Sequence, residues 1–507
     1  MMKHFCISYI HAHNNLIIAD QALHNKSFSI LHSAIIFVFV LTSCVCEVAP
    51  PEAVLPVPSE RQLAWHELEQ YAFIHFTTNT FTGKEWGYGD EQPAIFDPSI
   101  FDAEQWAKAI RDAGLNALIL TCKHHDGFCL WPSQYTEHSV KNSPFQNGKG
   151  DVVKAVSDAC RKYGLKFGVY LSPWDRNRFD YATPEYITYY RNQLRELLTH
   201  YGDLFEIWFD GANGGDGYYG GAREKRKIEN SVYYDWANTH SIIRELAPGA
   251  VIFSDAGPDV RWCGNEYGFA GETNWCTIQT DTLYPGKYGI NDLLNQGDEQ
   301  GSSWTPAEVD VSIRPGWFYH ESEDSLVRSP ENLFKIYLQS VGRGAGLLLN
   351  IPPDKRGLLH ENDIQSLQGW KLLRDRAFAV NLAANAAVNT DTYRGKSKKY
   401  AGANVTDGNK DTYWATDDGI TSAYLEIDLG KPRKISYILM QEYIRLGQRV
   451  KHFTVEVRKD NAWLQVAEGA TIGYKRILAI EPVNTQKVRI NITDSKICPL
   501  IADIKIY

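Results

Sequence analysis

DAEQWAKAIRDAGLNALILTCKHHD, residues 102–126, decides the fold. Asp102 is a helix-capping residue, and Ala103, Trp106, Ala107 and Ile110 recur at helical spacing behind it. Gly114 suits the left-handed position that closes a helix. Ala117–Thr121 then runs apolar without alternation, as a strand buried on both faces does, and polar Lys123-His124-His125-Asp126 follows. The same sentence is repeated downstream. Asp151 precedes Val152, Val153, Val156, Ala159 and Tyr163, with Gly164 and then the strand Phe167–Leu171. Tyr186, Tyr190, Leu194, Leu197 and Tyr201 give a third helix, followed by Leu204–Phe209. A fourth ends near Pro248 and Gly249, ahead of Ala250–Ser254. Helix, glycine, apolar strand and polar loop, repeated over some 300 residues, predict an α/β chain built as a (β/α)8-like barrel, with a doubly wound open sheet as the alternative. In either, chemistry gathers at the C-terminal ends of the strands.

The texture changes near residues 378–388. Short alternating runs appear at 423–429, 435–441, 452–458, 463–467, 486–492 and 501–507, separated by turn residues, and predict a small all-β sandwich. The expected plan is a signal segment at 1–44, an extended tether at 45–60 (Pro50, Pro51, Pro56 and Pro58), a barrel at 61–378 and a sandwich at 385–507. Ile30–Leu41 is apolar but too short to span a bilayer, and Thr42-Ser43-Cys44 follows it. That pattern is similar to a bacterial lipoprotein signal. It sets the expectation of an exported, periplasmic or cell-surface protein of a bacterium that meets membrane only through a lipid anchor. A plain cleaved secretion signal is the alternative.

A net charge of -9 and the lack of a basic stripe argue against a nucleic-acid partner. The 14 Trp and 28 Tyr suit a protein that stacks rings on sugar faces, and equally a β-rich core. Nine Cys are scattered without zinc or disulfide spacing, and Cys122, Cys129, Cys160, Cys263 and Cys276 read as small buried residues. Gly215–Gly220 matches the dinucleotide fingerprint in letters only, because it follows a fourth strand rather than opening a first βαβ unit.

Asp210 ends the run Glu206–Phe209, where a carboxylate is held rigidly at a barrel mouth. Glycoside hydrolysis needs two carboxyl groups. Asp255, Glu266 and Glu272 are all placed to supply the second, and spacing does not choose among them. His124 and His125 suit hydrogen bonding to sugar hydroxyls better than metal ligation, since neighbouring side chains at a strand end diverge. No metal is expected at the catalytic site.

Phe73-Ile74-His75-Phe76, Glu85-Trp86-Gly87, Lys123–Phe128 and Ile207–Gly211, in that order, resemble glycoside hydrolase family 29, the retaining α-L-fucosidases. The resemblance implies that Asp210 is the nucleophile. It implies that His75, Glu85, Trp86, His124 and His125 bind fucose hydroxyls, that Tyr170 and Trp208 line the pocket, and that Arg261 lies near the acid/base. Arg261-Trp262-Cys263-Gly264-Asn265-Glu266 and Asn79–Gly87 look like the subgroup that prefers α-1,3/1,4-linked fucose, which makes Glu266 the acid/base. The implied partners are fucosylated glycans, and the implied chemistry needs no cofactor. Thr77 departs from the glycine that many relatives carry after His-Phe. Residues 404–414 and 425–430 resemble the discoidin, or coagulation factor 5/8 C-type, sandwich. Some such modules bind sugar and some hold a structural Ca2+, for which the oxygen-rich Asp407–Asp411 loop is suited.

Overall fold

The computed structural model describes residues 47–507; the expected signal segment lies outside them. Eight parallel strands close into a barrel: β1 (Gln70–Ile74), β2 (Ala117–Lys123), β3 (Lys166–Leu171), β4 (Glu206–Trp208), β5 (Val251–Ser254), β6 (Val260–Trp262), β7 (Ala307–Ser312) and β8 (Gly346–Asn350). They neighbour one another in chain order, and β8 pairs with β1 through Gln70–Phe73 against Leu347–Asn350. Closure excludes the open sheet.

The helices begin and end where the side chains dictate. Asp102 accepts hydrogen bonds from Glu104 N and Gln105 N at the start of α1 (Ala103–Asp112). Asp151 accepts from Lys154 N to open α2 (Val152–Tyr163), and Gly164, at φ 74°, closes it. α3 (Pro184–His200), α4 (Trp236–Leu246), α5 (Pro330–Gln339) and α6 (Glu361–Ala377) complete the outer ring, with a single short helix, Asn291–Gln296, between β6 and β7. The expected alternation fails once: β5 and β6 are joined by residues 255–259 alone, with no helix. Residues 215–217 and 224–226 form a small antiparallel hairpin beyond β4, not a phosphate loop. Cys122, Cys129, Cys160, Cys263 and Cys276 are buried free thiols, as expected.

The barrel interior below the mouth is acidic. Glu206 and Glu308 face inward; Trp65 Nε1 donates to Glu206 (3.1 Å), Trp208 Nε1 to Glu308 (2.8 Å), and Tyr71 OH also bonds Glu308. Burial pushes both carboxyls up, and their closeness adds to the effect at Glu206.

The second domain is an antiparallel sandwich of β9 (Ala387–Thr390), β10 (Trp414–Ala415), β11 (Ala423–Glu442), β12 (Val450–Lys459), β13 (Ala462–Gly469), β14 (Arg476–Ser495) and β15 (Leu500–Ile506). The two runs read as separate strands at 423–429 and 435–441 are one 20-residue strand, β11. Its register against β14 shifts between Asp428 and Arg433, and such irregularities bend a strand. Asp407, in the loop expected to suit a cation, accepts from Asn409 N (2.8 Å) and Thr412 Oγ1 (2.8 Å), while Asn409 Oδ1 accepts from Asp411 N (3.1 Å). These bonds close a turn within the loop. Among the described residues no three His, Cys, Asp or Glu side chains group to hold a metal ion. None of the described helices is long and apolar enough to cross a membrane.

The domains share a core in which Phe378 packs against Phe334 of α5, Tyr437 of β11 and Tyr507. The stretch expected to be a tether is instead a strap along the sandwich. Tyr400 OH bonds Val48 O (3.2 Å), Arg394 Nε bonds Ala49 O (2.8 Å), Arg449 bonds Glu52 O, and Val54 N donates to Leu446 O (2.9 Å). A Cβ at Gly447 would stand 2.1 Å from Val54 O, so only glycine admits the strap there. Proline fixes extended backbone without specifying what the backbone lies on.

Candidate active site

A cavity of about 160 Å³ opens at the C-terminal ends of the barrel strands. His75, Trp86, His124, His125, Tyr170, Trp208, Asp210 and Glu266 line it, with Phe73, Ala212, Asp310 and Trp317. The structure therefore brings together eight of the ten residues expected at the site.

Asp210 emerges just beyond β4. Its Oδ2 accepts from Tyr170 OH (3.0 Å) and its Oδ1 from Ala212 N (2.7 Å). The loop that follows turns sharply over Asp255, where a Cβ on Gly211 would collide at 1.9 Å. Asp255 itself accepts from Gly286 N (2.8 Å) and does not line the cavity. Burial, with the Asp210 charge as a lesser cause, pushes its carboxyl up to about 7. Glu272 is also elsewhere: exposed, it pairs with Arg343 and with Arg476 of the sandwich (2.9 Å). Of the three carboxyls left open by spacing, Glu266 is the one that shares a cavity with Asp210. It stands on an exposed loop, with its carboxyl turned to the Trp317 indole (Nε1 to Oε2, 3.3 Å). Desolvation at the cavity wall raises its pKa, and the charges of Asp210 and Glu85 raise it further.

Three imidazoles form one side of the cavity, and the hydrogen-bond network assigns two of their tautomers. Asn350 spends its amide hydrogens on Ser312 Oγ (2.9 Å) and Trp317 O (2.8 Å), so its oxygen faces His75 Nδ1 (2.8 Å) and the proton is on Nδ1. Ser172 gives its hydrogen to Trp174 O (2.7 Å), so His125 Nδ1 donates to Ser172 Oγ (2.7 Å) and leaves Nε2, 3.7 Å from Asp210 Oδ2, as the acceptor. Burial keeps these rings neutral, pulling His75 down to about 3 and lowering His124 and His125. His124 Nδ1 is buried without a hydrogen-bond partner among the described residues. The aromatic rings continue from the imidazoles: Tyr170 stacks on His124 (5.8 Å) and on Trp208 (5.2 Å), which stacks on Phe253 (4.2 Å). Trp86 stands half-exposed at the rim. Neutral hydrogen-bonding rings beside flat apolar ones, with the carboxyls of Asp210, Glu266 and Asp310 in the same lining, suit a sugar ring and an acid-base reaction at one of its carbons.

A model of the α-L-fucosidase family matches residues 52–370, and one of the F5/8 type C domain matches residues 385–503. The chain belongs to the α-L-fucosidase family. An α-L-fucosidase 1 from Arabidopsis thaliana is 40% identical over 462 residues, covering 90% of this chain and 88% of its own. A rice protein provisionally given the same name is 42% identical over 470 residues, covering 92% and 88%. A Ruminococcus gnavus family 29 fucosidase solved with fucose superposes with a TM-score of 0.81 at 34% identity, over 90% of this chain and 96% of that one. The protein is thus an α-L-fucosidase, a glycoside hydrolase acting on fucosylated substrates, with a discoidin-type sandwich behind its barrel. The expected bacterial origin is overturned, since these curated relatives, matched over nine-tenths of the chain, are plant proteins.

Two of the site residues expected in this α-L-fucosidase are placed differently. Arg261 is the middle residue of β6, and side chains alternate along a strand. Trp262 reaches Asp310 at the cavity (Nε1 to Oδ1, 2.8 Å), so Arg261 points the other way. Its buried guanidinium is consumed by Leu294 O (2.8 Å), Trp275 O (3.0 Å), Asn274 Oδ1 (3.1 Å) and Thr305 O. It braces the β6–β7 connection and does not reach the cavity. Glu85 adjoins the rim, but its carboxylate accepts Trp317 N (2.8 Å), Phe318 N (3.3 Å) and the His320 ring (2.6 Å) rather than lining the cavity.

Asp310, Trp317 and Asn350 were missed. Asp310 is buried, and desolvation together with Glu266 and Glu308 holds its carboxyl well above the usual range. The signal was present: Glu308 and Asp310, two apart in an apolar strand, face the same side of it, and Asn350 closes the run Leu347–Leu349.

Proposed function

We propose that this α-L-fucosidase works with retention through a covalent fucosyl-enzyme, with Asp210 as nucleophile and Glu266 as acid/base. The observation that carries this reading is that Asp210 and Glu266, two of the three carboxyls lining one small cavity, sit in unlike settings, while the third, Asp310, is buried and accepts from Trp262 Nε1. Asp210 accepts two hydrogen bonds, from Tyr170 OH and Ala212 N. Glu266 is desolvated and faces other negative charge, which favours holding a proton. Asp210 attacks the anomeric carbon as Glu266 protonates the departing oxygen. Glu266 then takes a proton from water, which releases fucose with its anomeric configuration kept. His75, His124 and His125 receive the sugar hydroxyls, Tyr170 holds Asp210, and Trp86 closes the rim. The two carboxyls carry the chemistry without a cofactor. A preference for α-1,3/1,4-linked fucose is supported by the resemblance of residues 261–266 and 79–87 to that subgroup.

The test is NMR of the first-formed sugar from an aryl α-L-fucoside, alongside fucose release from a Lewis-type trisaccharide and an α-1,2-fucosylated one. Initial α-fucose, and release from the Lewis sugar in preference, are expected. Initial β-fucose would end the covalent mechanism, and equal release from both oligosaccharides would end the linkage reading.

A further inference from the structure

We propose that one end of the C-terminal sandwich is a second binding site, which takes a sugar chain bearing carboxylate or sulfate groups and so moors the fucosidase to acidic glycan.

Three turns meet at this end. β11 bends at residues 428–433, β12 turns into β13 through Asp460 and Asn461, and β14 runs beside the bend with Thr485 opposite Arg433 and Asn484 opposite Lys434. Asp460 and Asn461 lie at φ 46° and 60°, the left-handed pair that a two-residue hairpin turn needs. Thr485 Oγ1 donates to Arg458 O (3.0 Å) and fixes the hairpin to β14. The strap lies at the other end. Arg449, which bonds Glu52 O, precedes the first residue of β12, and Lys459 is its last. A strand of that length spans roughly 30 Å.

What gathers on these turns is positive charge. Lys431, Arg433, Lys434, Arg458 and Lys459 have no ion pair and no side-chain hydrogen bond among the described residues. Lys487 and Arg489 stand beside them, and both pair with Glu426 (2.8 and 2.9 Å). Asp428 is engaged by Gln486 (2.9 Å), which leaves the exposed Asp460 and Glu481 as the unpaired acids of the three turns. The chain as a whole carries -9, so this end is opposite in sign to the rest. Like charges held together repel, a cost to the folded state that a bound anion removes. The sequence shows no basic stripe because the patch is assembled from three separate segments, 431–434, 458–459 and 487–489.

The guanidinium groups are held in place. Arg489 lies over Trp463 (3.9 Å) and Tyr424 (4.7 Å) with its Nε buried and unpartnered, and Arg458 lies over the same indole (5.5 Å). A concavity of about 750 Å³ opens beside them, the size of a small-ligand cleft. Asn461, Asn484, Thr485 and Gln486 line it between the cations, and Pro432 and the Trp463 ring are its non-polar members. A lipid surface is met by apolar side chains that enter it, and a nucleic acid by a charged groove that tracks its phosphates. Cations alternating with amides around a hollow suit ring hydroxyls and spaced acid groups. The same polypeptide carries a barrel that acts on fucosylated substrates, and holding it beside such polymer raises the local concentration of substrate.

Biolayer interferometry of the full chain on immobilised polygalacturonate, dextran sulfate and uncharged dextran, at low and at high salt, tests the site. Wild type is compared with Lys431→Glu/Lys434→Glu/Lys459→Glu and with a control, Lys149→Glu/Lys335→Glu/Lys355→Glu, which changes net charge equally at exposed positions of the barrel domain. Wild type is expected to bind the acidic polymers and not dextran, with an affinity that falls as salt rises. The sandwich variant is expected to bind about tenfold or more weakly, and the control to stay within about twofold of wild type. Either acidic polymer satisfies the proposal, and the tighter of the two tells carboxylate from sulfate. No binding to either polymer would overturn it. Equal losses in the two variants would place the attraction in net charge rather than at this end of the sandwich. Tighter binding to duplex DNA or to phosphatidylserine vesicles than to both acidic polymers would remove the glycan as the occupant.

Discussion

Asp126→Asn should change how stability depends on pH. Asp126 is wholly buried beyond the end of β2, where it accepts Thr77 Oγ1 (2.8 Å), Thr78 Oγ1 (3.0 Å) and Phe128 N (2.8 Å), so one carboxyl ties the end of β1 to the turn after the His pair. Burial, with the Glu91 charge second, outweighs those donors and pushes its pKa from the ordinary 3.8 up to about 7. The folded state thus binds the proton more tightly than the unfolded chain. The stability this provides is complete below about pH 4 and is lost as pH rises through about 7. At about 1.4 kcal/mol per pH unit, the whole span is worth about 4 kcal/mol. Asparagine has nearly the same shape, keeps an acceptor for Phe128 N, and cannot ionise. Urea unfolding of wild type and Asp126→Asn at pH 5, 6, 7 and 8 isolates this group, since other titrating groups cancel in the difference. The variant is expected to gain on wild type by about 2–3 kcal/mol between pH 5 and pH 8. A difference that stays constant across that range would refute the reasoning and place the titration of Asp126 outside it.

Removing the Tyr170 hydroxyl takes one of two donors from Asp210; a hydrogen bond to a charged group is worth about 1.5–3 kcal/mol, so Tyr170→Phe is expected to shift kcat/KM by about tenfold or more. An unchanged kcat/KM would detach Tyr170 from the nucleophile. Arg261→Met strands several carbonyl groups and is expected to destabilise by a few kcal/mol, with the fucose inhibition constant of the folded fraction unchanged; weaker fucose inhibition would return Arg261 to the site. Glu272→Ala is expected to leave the ratio of rates on good and poor leaving groups at the wild-type value, because Glu272 faces the sandwich. A ratio that moves would make it the acid/base. Chelation with EDTA is expected to leave Tm unchanged, given the self-satisfied Asp407–Thr412 turn, and a fall that added calcium reverses would show otherwise.

What the sequence revealed depended on whether the deciding physics was local. Asp102, Asp151 and Gly164 act on their own helices, so caps and ends were readable from neighbouring residues. Asp210 was readable because a carboxylate closing an apolar barrel strand has few other uses. Arg261 was not, because three residues of β6 do not set the phase of the alternation; Trp262 sets it by reaching Asp310, 48 residues away. The carboxylate of Glu85 is occupied by a turn more than 230 residues downstream, which no local pattern announces. The break in the β/α rhythm at 255–259 is illegible for the same reason: Asp255 and Asp259 read as ordinary loop residues until Gly211, Ile252 N and Gly286 are seen around them.

The strap at residues 48–58 bears on how the two modules can be exchanged. Sequence suggests a cassette that could be cut after α6, leaving a barrel at one end and a sandwich at the other. Yet the barrel's own leader spends its hydrogen bonds on Arg394, Tyr400, Leu446 and Arg449. A cut near residue 378 would strand a proline-rich leader with nothing to lie on and open buried arginines on the excised partner. Recombination between relatives would have to carry the leader and the sandwich together, two pieces more than 300 residues apart in the chain. The order in which the chain is made gives the same result: the first segment past residue 47 reaches its place only once the last domain has folded.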